Sequence, residues 1–340
     1  MTPLLNIVWF LLIGMLFTGY AMLDGFDLGV GAWHLFVKSD EERRILLNAI
    51  GPVWDGNEVW LITGGGALFA AFPEVYATVF SGFYLAFILL LFALIFRAVA
   101  IEFRDTEPMR WWRQMWDVSF SVSSVLSALL IGVALGNLIW GIPLDGRHEF
   151  AGSFLSLLNP YAILVGALTL SLFMMHGAIY IVLKTEGALH ERFRAWTQHG
   201  IIFFIICYVA ATMATFIYVP RMTYYFRSTP GLFALAALTV LAIANIPREI
   251  HHRNDWHAFL SSCAAVASLL ALFGVGTFPN LVFSRPHPEY SLTIYNAASS
   301  PKTLAIMGVI ALIGIPLVLA YTWTIHWIFR GKVRLDETSY

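Results

Sequence analysis

Residues 74–97 read EVYATVFSGFYLAFILLLFALIFR, with no charged side chain between Glu74 and Arg97. A helix rises about 1.5 Å per residue, so this run is long enough to cross the roughly 30 Å of hydrocarbon in a bilayer. The rest of the chain is of the same kind. Of its 340 residues, 59% are apolar and only 12% charged, and the mean hydropathy is +0.74. A soluble domain has about 45–50% apolar and 25% charged residues, so a water-soluble globular fold is excluded. The 20 Lys and Arg against 21 Asp and Glu give a formal charge of -1. No global basic field exists to hold a nucleic acid.

Apolar runs of membrane-spanning length between polar breaks lie at approximately 7–36, 53–72, 74–97, 116–140, 160–183, 198–219, 230–247, 257–279 and 302–329. The expected fold is an all-α integral membrane protein of about nine spans, forming one polytopic domain over 1–340. Segment 53–72 is the weakest span. It carries Asp55 and Glu58 at one end and Gly64, Gly65 and Gly66 in its middle, where helix propensity falls. A re-entrant hairpin arm is the alternative there. Short loops rich in Lys and Arg stay cytoplasmic. With the N-terminus outside and the C-terminus cytoplasmic, only Arg147, Arg221, Arg227, Arg285 and Lys302 fall outside, and the remaining Lys and Arg fall inside. The opening MTPLLNIVWF has no positive region, and no small-residue cleavage site follows it. Span one is therefore expected to be retained.

Ionisable groups inside a bilayer cost about 2.5–3.5 kcal/mol on insertion scales, so they need partners or a purpose. Here they concentrate in LDGFDLGVG (23–31), with Asp24 and Asp27, and in GPVWDGNEVWL (51–61), with Asp55 and Glu58. A spacing of three puts each pair on one helical face. Asp24 lies about 12 residues, or roughly 18 Å, from the cytoplasmic end of its span, and the other pair enters the same leaflet. Gly25, Gly29 and Gly31 on span one, and Gly51, Gly56 and Gly64 on span two, permit close packing of the two spans around the acids. One reading makes the acids a wet path for protons or cations from the cytoplasm, with close carboxylates sharing protons. The other makes them structural, bonded to helix-end backbone, to Asn57 or to Arg97.

Of the ten histidines, His176 alone lies well inside a span, and His34, His199 and His326 fall at interfacial depth. A haem site needs two axial ligands at matching depth, so neither haem nor metal is expected on this chain. Cys207 and Cys263 sit in apolar runs and suggest no disulfide or metal cage. P-loop, G-x-G-x-x-G and G-x-S-x-G motifs are missing.

Three blocks carry a resemblance: LDGFDLGVG at 23–31, GPVWDGNEVWLITGGGALFAAFPEVYATVFSGFY at 51–84, and FRAVAIEFR at 96–104. Together they resemble subunit II of cytochrome bd quinol oxidase, including its cyanide-insensitive branch, with LLNP (157–160) and TFP (277–279) as lesser landmarks. The resemblance implies nine helices arranged as two four-helix bundles and one peripheral helix. It implies a haem-free subunit paired with subunit I, which holds two haem b groups, haem d and the quinol-oxidising loop. The complex would reduce oxygen to water in a prokaryotic inner membrane. It would take electrons from quinol outside and protons from the cytoplasm, and generate a proton motive force without pumping. Small single-span subunits and, in some relatives, a structural quinone belong to the same picture. Carried over onto matching positions, the proton-uptake acids are Asp24 and Asp55, supported by Trp60 and Arg97. Where some members have a histidine before the Trp-Asp pair, this chain has Val53, so Asp55 would rely on water or Glu58. The rival from another class is a stand-alone cation-coupled secondary transporter, to which the glycine-interrupted span two is suited.

Overall fold

A computed structural model describes residues 2–335. Its helices are α1 (Thr2–His34), α2 (Asp40–Ile50), α3 (Trp54–Ala71), α4 (Pro73–Gly82), α5 (Tyr84–Phe103), α6 (Arg110–Trp140), α7 (Pro160–Lys184), α8 (Gly187–Tyr218), α9 (Tyr224–Ser228), α10 (Phe233–His251), α11 (Asp255–Thr277) and α12 (Pro301–Ile328). Two short antiparallel strands, β1 (Asn280–Val282) and β2 (Leu292–Thr293), staple the loop between α11 and α12. Among the described residues, eight helices are long and apolar enough to cross a membrane. Bilayer-spanning backbone must satisfy its own hydrogen bonds, which is why helices dominate.

The long helices form two groups of four with one outlier. α1, α3, α5 and α6 make one group, α7, α8, α10 and α11 the other, and α7 joins them by packing on both α1 and α6. α12 is peripheral, touching mainly α1 and α3 and otherwise exposed. The two groups meet where Gly29 and Gly177 face each other. A Cβ on Gly29 would lie 1.9 Å from the Phe173 carbonyl oxygen, and one on Gly177 would lie 2.5 Å from the Gly29 backbone. Backbones approach this closely only where both helices lack a side chain.

Segment 53–72 forms α3, which is 18 residues long and, with Asp55, Asn57 and Glu58 in its first turns, is not among the eight helices long and apolar enough to cross a membrane. It runs antiparallel to α1. Asn57 bonds the Leu23 carbonyl, Trp60 lies on Gly19, Gly64 lies on Phe17, and the Ala71 carbonyl accepts from the Ser299 N–H in the loop before α12. α3 therefore traverses the bundle and does not turn back as a hairpin arm. The run 74–97, read as one span, is divided into α4 and α5 at Phe83. Phe150 packs on Gly82, where a Cβ would come within 2.8 Å of it, and glycine lets the helix axis shift there. α8 starts eleven residues before the expected 198, because its polar first turns are held by ion pairs to other elements, Arg192 with Glu42 and Arg194 with Asp255.

Local chemistry sets the helix ends. Ser39 and Asn159 accept backbone N–H groups of Glu42 and Ala162, and Ser300 accepts that of Thr303. Prolines 160 and 301 take the first helical position, where no N–H is needed. α6 stops at Gly141, whose φ of +94° favours glycine.

Candidate carboxylate site in the first bundle

The site lies where α1, α3 and α5 meet. Arg97, on α5, is fully buried. Its Nη2 donates to Asp24 Oδ1 at 2.6 Å and also to Glu58 Oε1. Asp27, one turn beyond Asp24, is likewise fully buried and accepts from Asn57 Nδ2 at 2.7 Å. Asn57 and Glu58 are consecutive on α3, so one turn of that helix serves both aspartates of α1. Trp60 packs against Leu16 and Tyr20 on α1. Val53 is buried in the apolar cluster that includes Trp54 and Ile50.

The four acids do not share one environment. Asp24 and Asp27 are sealed, Glu58 is 21% exposed, and Asp55 is on the surface. Of the four, Asp24, Asp27 and Glu58 gather near Arg97, while Asp55, one turn before Glu58 on α3, is exposed in the isolated chain. Of the glycines expected between the two spans, Gly64 on α3 does face Phe17 of α1, but those of span one turn elsewhere. Gly25 and Gly29 accommodate Phe173 of α7, and Gly31 accommodates Ser124 of α6, so span one uses them to meet other helices than α3. At α3 the close approach comes from Gly19 under Trp60, where a Cβ would lie 2.3 Å from the ring.

Hydrogen bonding in the cluster is incomplete. Asp24 Oδ2, Asp27 Oδ1, Arg97 Nε and Arg97 Nη1 are buried without a protein partner. Buried polar atoms left by the protein in this way are ordinarily met by water.

A second ionic centre was not legible in the pattern of spans. Asp117, near the start of α6, is 1% exposed. Its Oδ1 receives His34 Nε2 and Arg104 Nε, each at 2.6 Å, and its Oδ2 receives Arg43 Nη1 at 2.7 Å. Arg104 goes on to Asp40 at 2.6 Å and Asp105 at 2.9 Å. This network ties the ends of α1 and α5 to α2 and α6. His34, the last residue of α1, is fully buried here. The available signal was Asp117 itself, the one acid in the sequence of α6. The two centres are stacked: Asp27 to His34 on α1, and Arg97 on α5 to Arg104 just past its end, are each seven residues, about two turns or 10 Å. The Asp117 network therefore lies between the Arg97 cluster and the basic end of the bundle.

Among the described residues, the buried histidines are engaged by other groups. His176 spends Nδ1 on Ser262 at 2.7 Å and Nε2 on the Met22 carbonyl at 2.9 Å. His34 is held by Asp117, and His326 Nδ1 by the Thr322 carbonyl. Among the described residues, no group of three or more His, Cys, Asp or Glu is placed to hold a metal. Cys207 and Cys263 are both free. An open groove of about 400 Å³ between α5 and α6, lined by Leu89, Phe92, Phe96, Val122 and Ser123, suits a lipid or isoprenoid tail. It offers a quinone headgroup little beyond serine hydroxyls.

A family model described as cytochrome bd terminal oxidase subunit II matches residues 5–329. The chain is 36% identical over 365 residues to cytochrome bd-I ubiquinol oxidase subunit 2 of Escherichia coli K12, covering 98% of this chain and 96% of that one. It is also 36% identical over 336 residues to cytochrome bd ubiquinol oxidase subunit 2 of Bacillus subtilis 168, covering 98% of each. Among solved structures, a chain of the bd oxidase from Geobacillus thermodenitrificans superposes with a TM-score of 0.80 at 15% identity, covering 96% of this chain and 98% of that one. At that identity the superposition speaks for the fold alone.

Proposed function

This chain belongs to the cytochrome bd terminal oxidase subunit II family, and on that premise we propose that it is the haem-free subunit of a quinol:oxygen oxidoreductase, bound to subunit I and supplying cytoplasmic protons for the reduction of oxygen to water. The observation that carries this reading is the buried set of Asp24, Asp27 and Glu58 around Arg97. Three carboxylates against one guanidinium cannot all ionise cheaply in a low-dielectric interior, so the set holds exchangeable protons.

The roles follow from depth. Asp55, on the surface, collects a proton from water. Glu58, one turn further along α3 and half-buried, receives it. Because Glu58 and Asp24 share Nη2 of Arg97, neutralising one carboxylate leaves the guanidinium to the other, and a proton on Glu58 is coupled to the charge on Asp24. Asp27, oriented by Asn57, extends the set along α1. The unpartnered oxygens and N–H groups of the cluster favour water between these stations. Trp60 fixes α3 against α1, so that the carboxylates on the two helices stay in register.

Two further observations support a partner. α3 turns Val59, Ile62 and Phe69 outward, and Gly65 and Gly66 beside them face open space. Such a surface lets another membrane helix approach closely. In this reading subunit I brings the two haem b groups, haem d and the quinol site. Fourteen of the 20 Lys and Arg lie at the end of the bundle that holds Asp117, with Arg97 about two turns deeper, which supports a cytoplasmic location for that end and an N-terminus outside.

The test is the visible spectrum of the protein purified from its native membranes. The reading expects haem b and haem d bands together with a second large subunit. A colourless homo-oligomer would overturn it in favour of a cation-coupled transporter.

A further inference from the structure

The end of the bundle opposite the carboxylates holds a cleft with two arginines in a mostly apolar lining that the proposed function does not use. It is open, has a volume of about 340 Å³, and is lined by Tyr218, Arg221, Phe283, Ser284, Arg285 and Pro288, among others. The fold fixes both cations. Arg221 donates through Nη2 to the Ile139 carbonyl, and its guanidinium lies 3.7 Å from the centroid of the Phe283 ring. Arg285 lies 4.5 Å from the centroid of the Trp140 ring, and its backbone N–H donates to the Ile142 carbonyl at 2.9 Å.

No acid answers these charges. Among the described residues, the ion pairs at this end are Arg147 with Asp145, His148 with Glu74, and His287 with Glu289, and none includes Arg221 or Arg285. Burial pushes the Arg221 guanidinium down to about 10, and the positive charge of Arg285 adds to the effect. Ser284 is fully buried, and its Oγ has no hydrogen-bond partner. Two neighbouring guanidiniums and an orphan hydroxyl call for an anion with several acceptor oxygens, and arginine forks match phosphate geometry. The depth is that of a headgroup layer, because Tyr218 ends α8 and Trp140 ends α6.

We propose that this cleft binds a phosphate group, presented by the headgroup of an anionic phospholipid and held by Arg221, Arg285 and Ser284. Native mass spectrometry of the intact, delipidated complex titrated with dioleoyl phosphatidylglycerol, and separately with inorganic phosphate, tests it. The wild type should retain one more lipid than Arg221→Gln/Arg285→Gln, whose affinity for that lipid should fall at least tenfold. Arg285→Lys, which keeps the charge but loses the fork, and Ser284→Ala should each lose about threefold to tenfold. These two milder variants carry the test if the double variant does not accumulate. Displacement of the lipid by millimolar phosphate from wild type but not from the variants supports the same chemistry with free phosphate as its source. Equal lipid retention by wild type and all variants would overturn the proposal. So would a carboxylate of another subunit found against the two arginines.

Discussion

Arg97→Gln strands Asp24. In the intact site the two side chains are 1% and 0% exposed and 2.6 Å apart, and Glu58 leans on the same guanidinium nitrogen. Removing one partner of such a buried pair costs about 3–5 kcal/mol, because a charge is left without compensation. If half of the lower figure appears in the unfolding barrier, about 1.5 kcal/mol corresponds to roughly tenfold in rate. The assay is the half-life of the purified complex at a fixed elevated temperature, since large membrane assemblies unfold irreversibly and are compared by rate. Arg97→Gln should shorten that half-life about tenfold or more. Asp24→Asn/Arg97→Gln removes the stranded charge as well and should recover most of the loss, giving a coupling of about 1–3 kcal/mol in a double-mutant cycle. A single variant as long-lived as wild type, or a double variant that is merely the sum of two losses, would refute the argument that one guanidinium compensates Asp24.

Asp117→Leu leaves Arg104, Arg43 and His34 without their shared anion, and a loss of about 3 kcal/mol or more should appear as poor accumulation of the complex on blue-native gels. Asp55 is exposed and unburdened by packing, so Asp55→Asn should change thermal stability by less than about 0.5 kcal/mol while slowing oxygen consumption. Gly177→Val puts a branched side chain into the Gly29 backbone and should abolish accumulation. Gly65→Ala, with open space around it, should leave the isolated chain folded and instead weaken retention of the second subunit during purification.

Hydropathy made the membrane architecture readable, because a segment without water must be helical, apolar and about 20 residues long. The acids were readable for the same reason: Asp24 and Asp27 stand out against a span that otherwise avoids charge. Which groups they meet was less so. Spacing alone treats Asp55 and Glu58 as one pair, yet Glu58 reaches Arg97 while Asp55 stays on the surface. That division depends on how α3 is rotated against α1, which Trp60 on Gly19 decides. The Asp117 network was hidden because its members, Arg43, Arg104 and His34, come from three separate elements, and a hydropathy scan counts a lone acid at a span end as interfacial. The break at Phe83 lies in an uninterrupted apolar run. The local signal is only the pair Ser81-Gly82, and what packs there is Phe150, a residue 67 positions beyond Phe83.

The central claim is that the Arg97 cluster carries protons and does not merely brace the bundle. Its most direct test is quinol-driven oxygen consumption, expressed per haem, in membranes carrying Asp24→Asn, measured beside the haem content and the yield of the assembled complex. The account predicts that turnover per haem falls at least tenfold while haem content stays within about twofold of wild type. Turnover per haem that is unchanged, with activity declining only as assembled complex is lost, would contradict it.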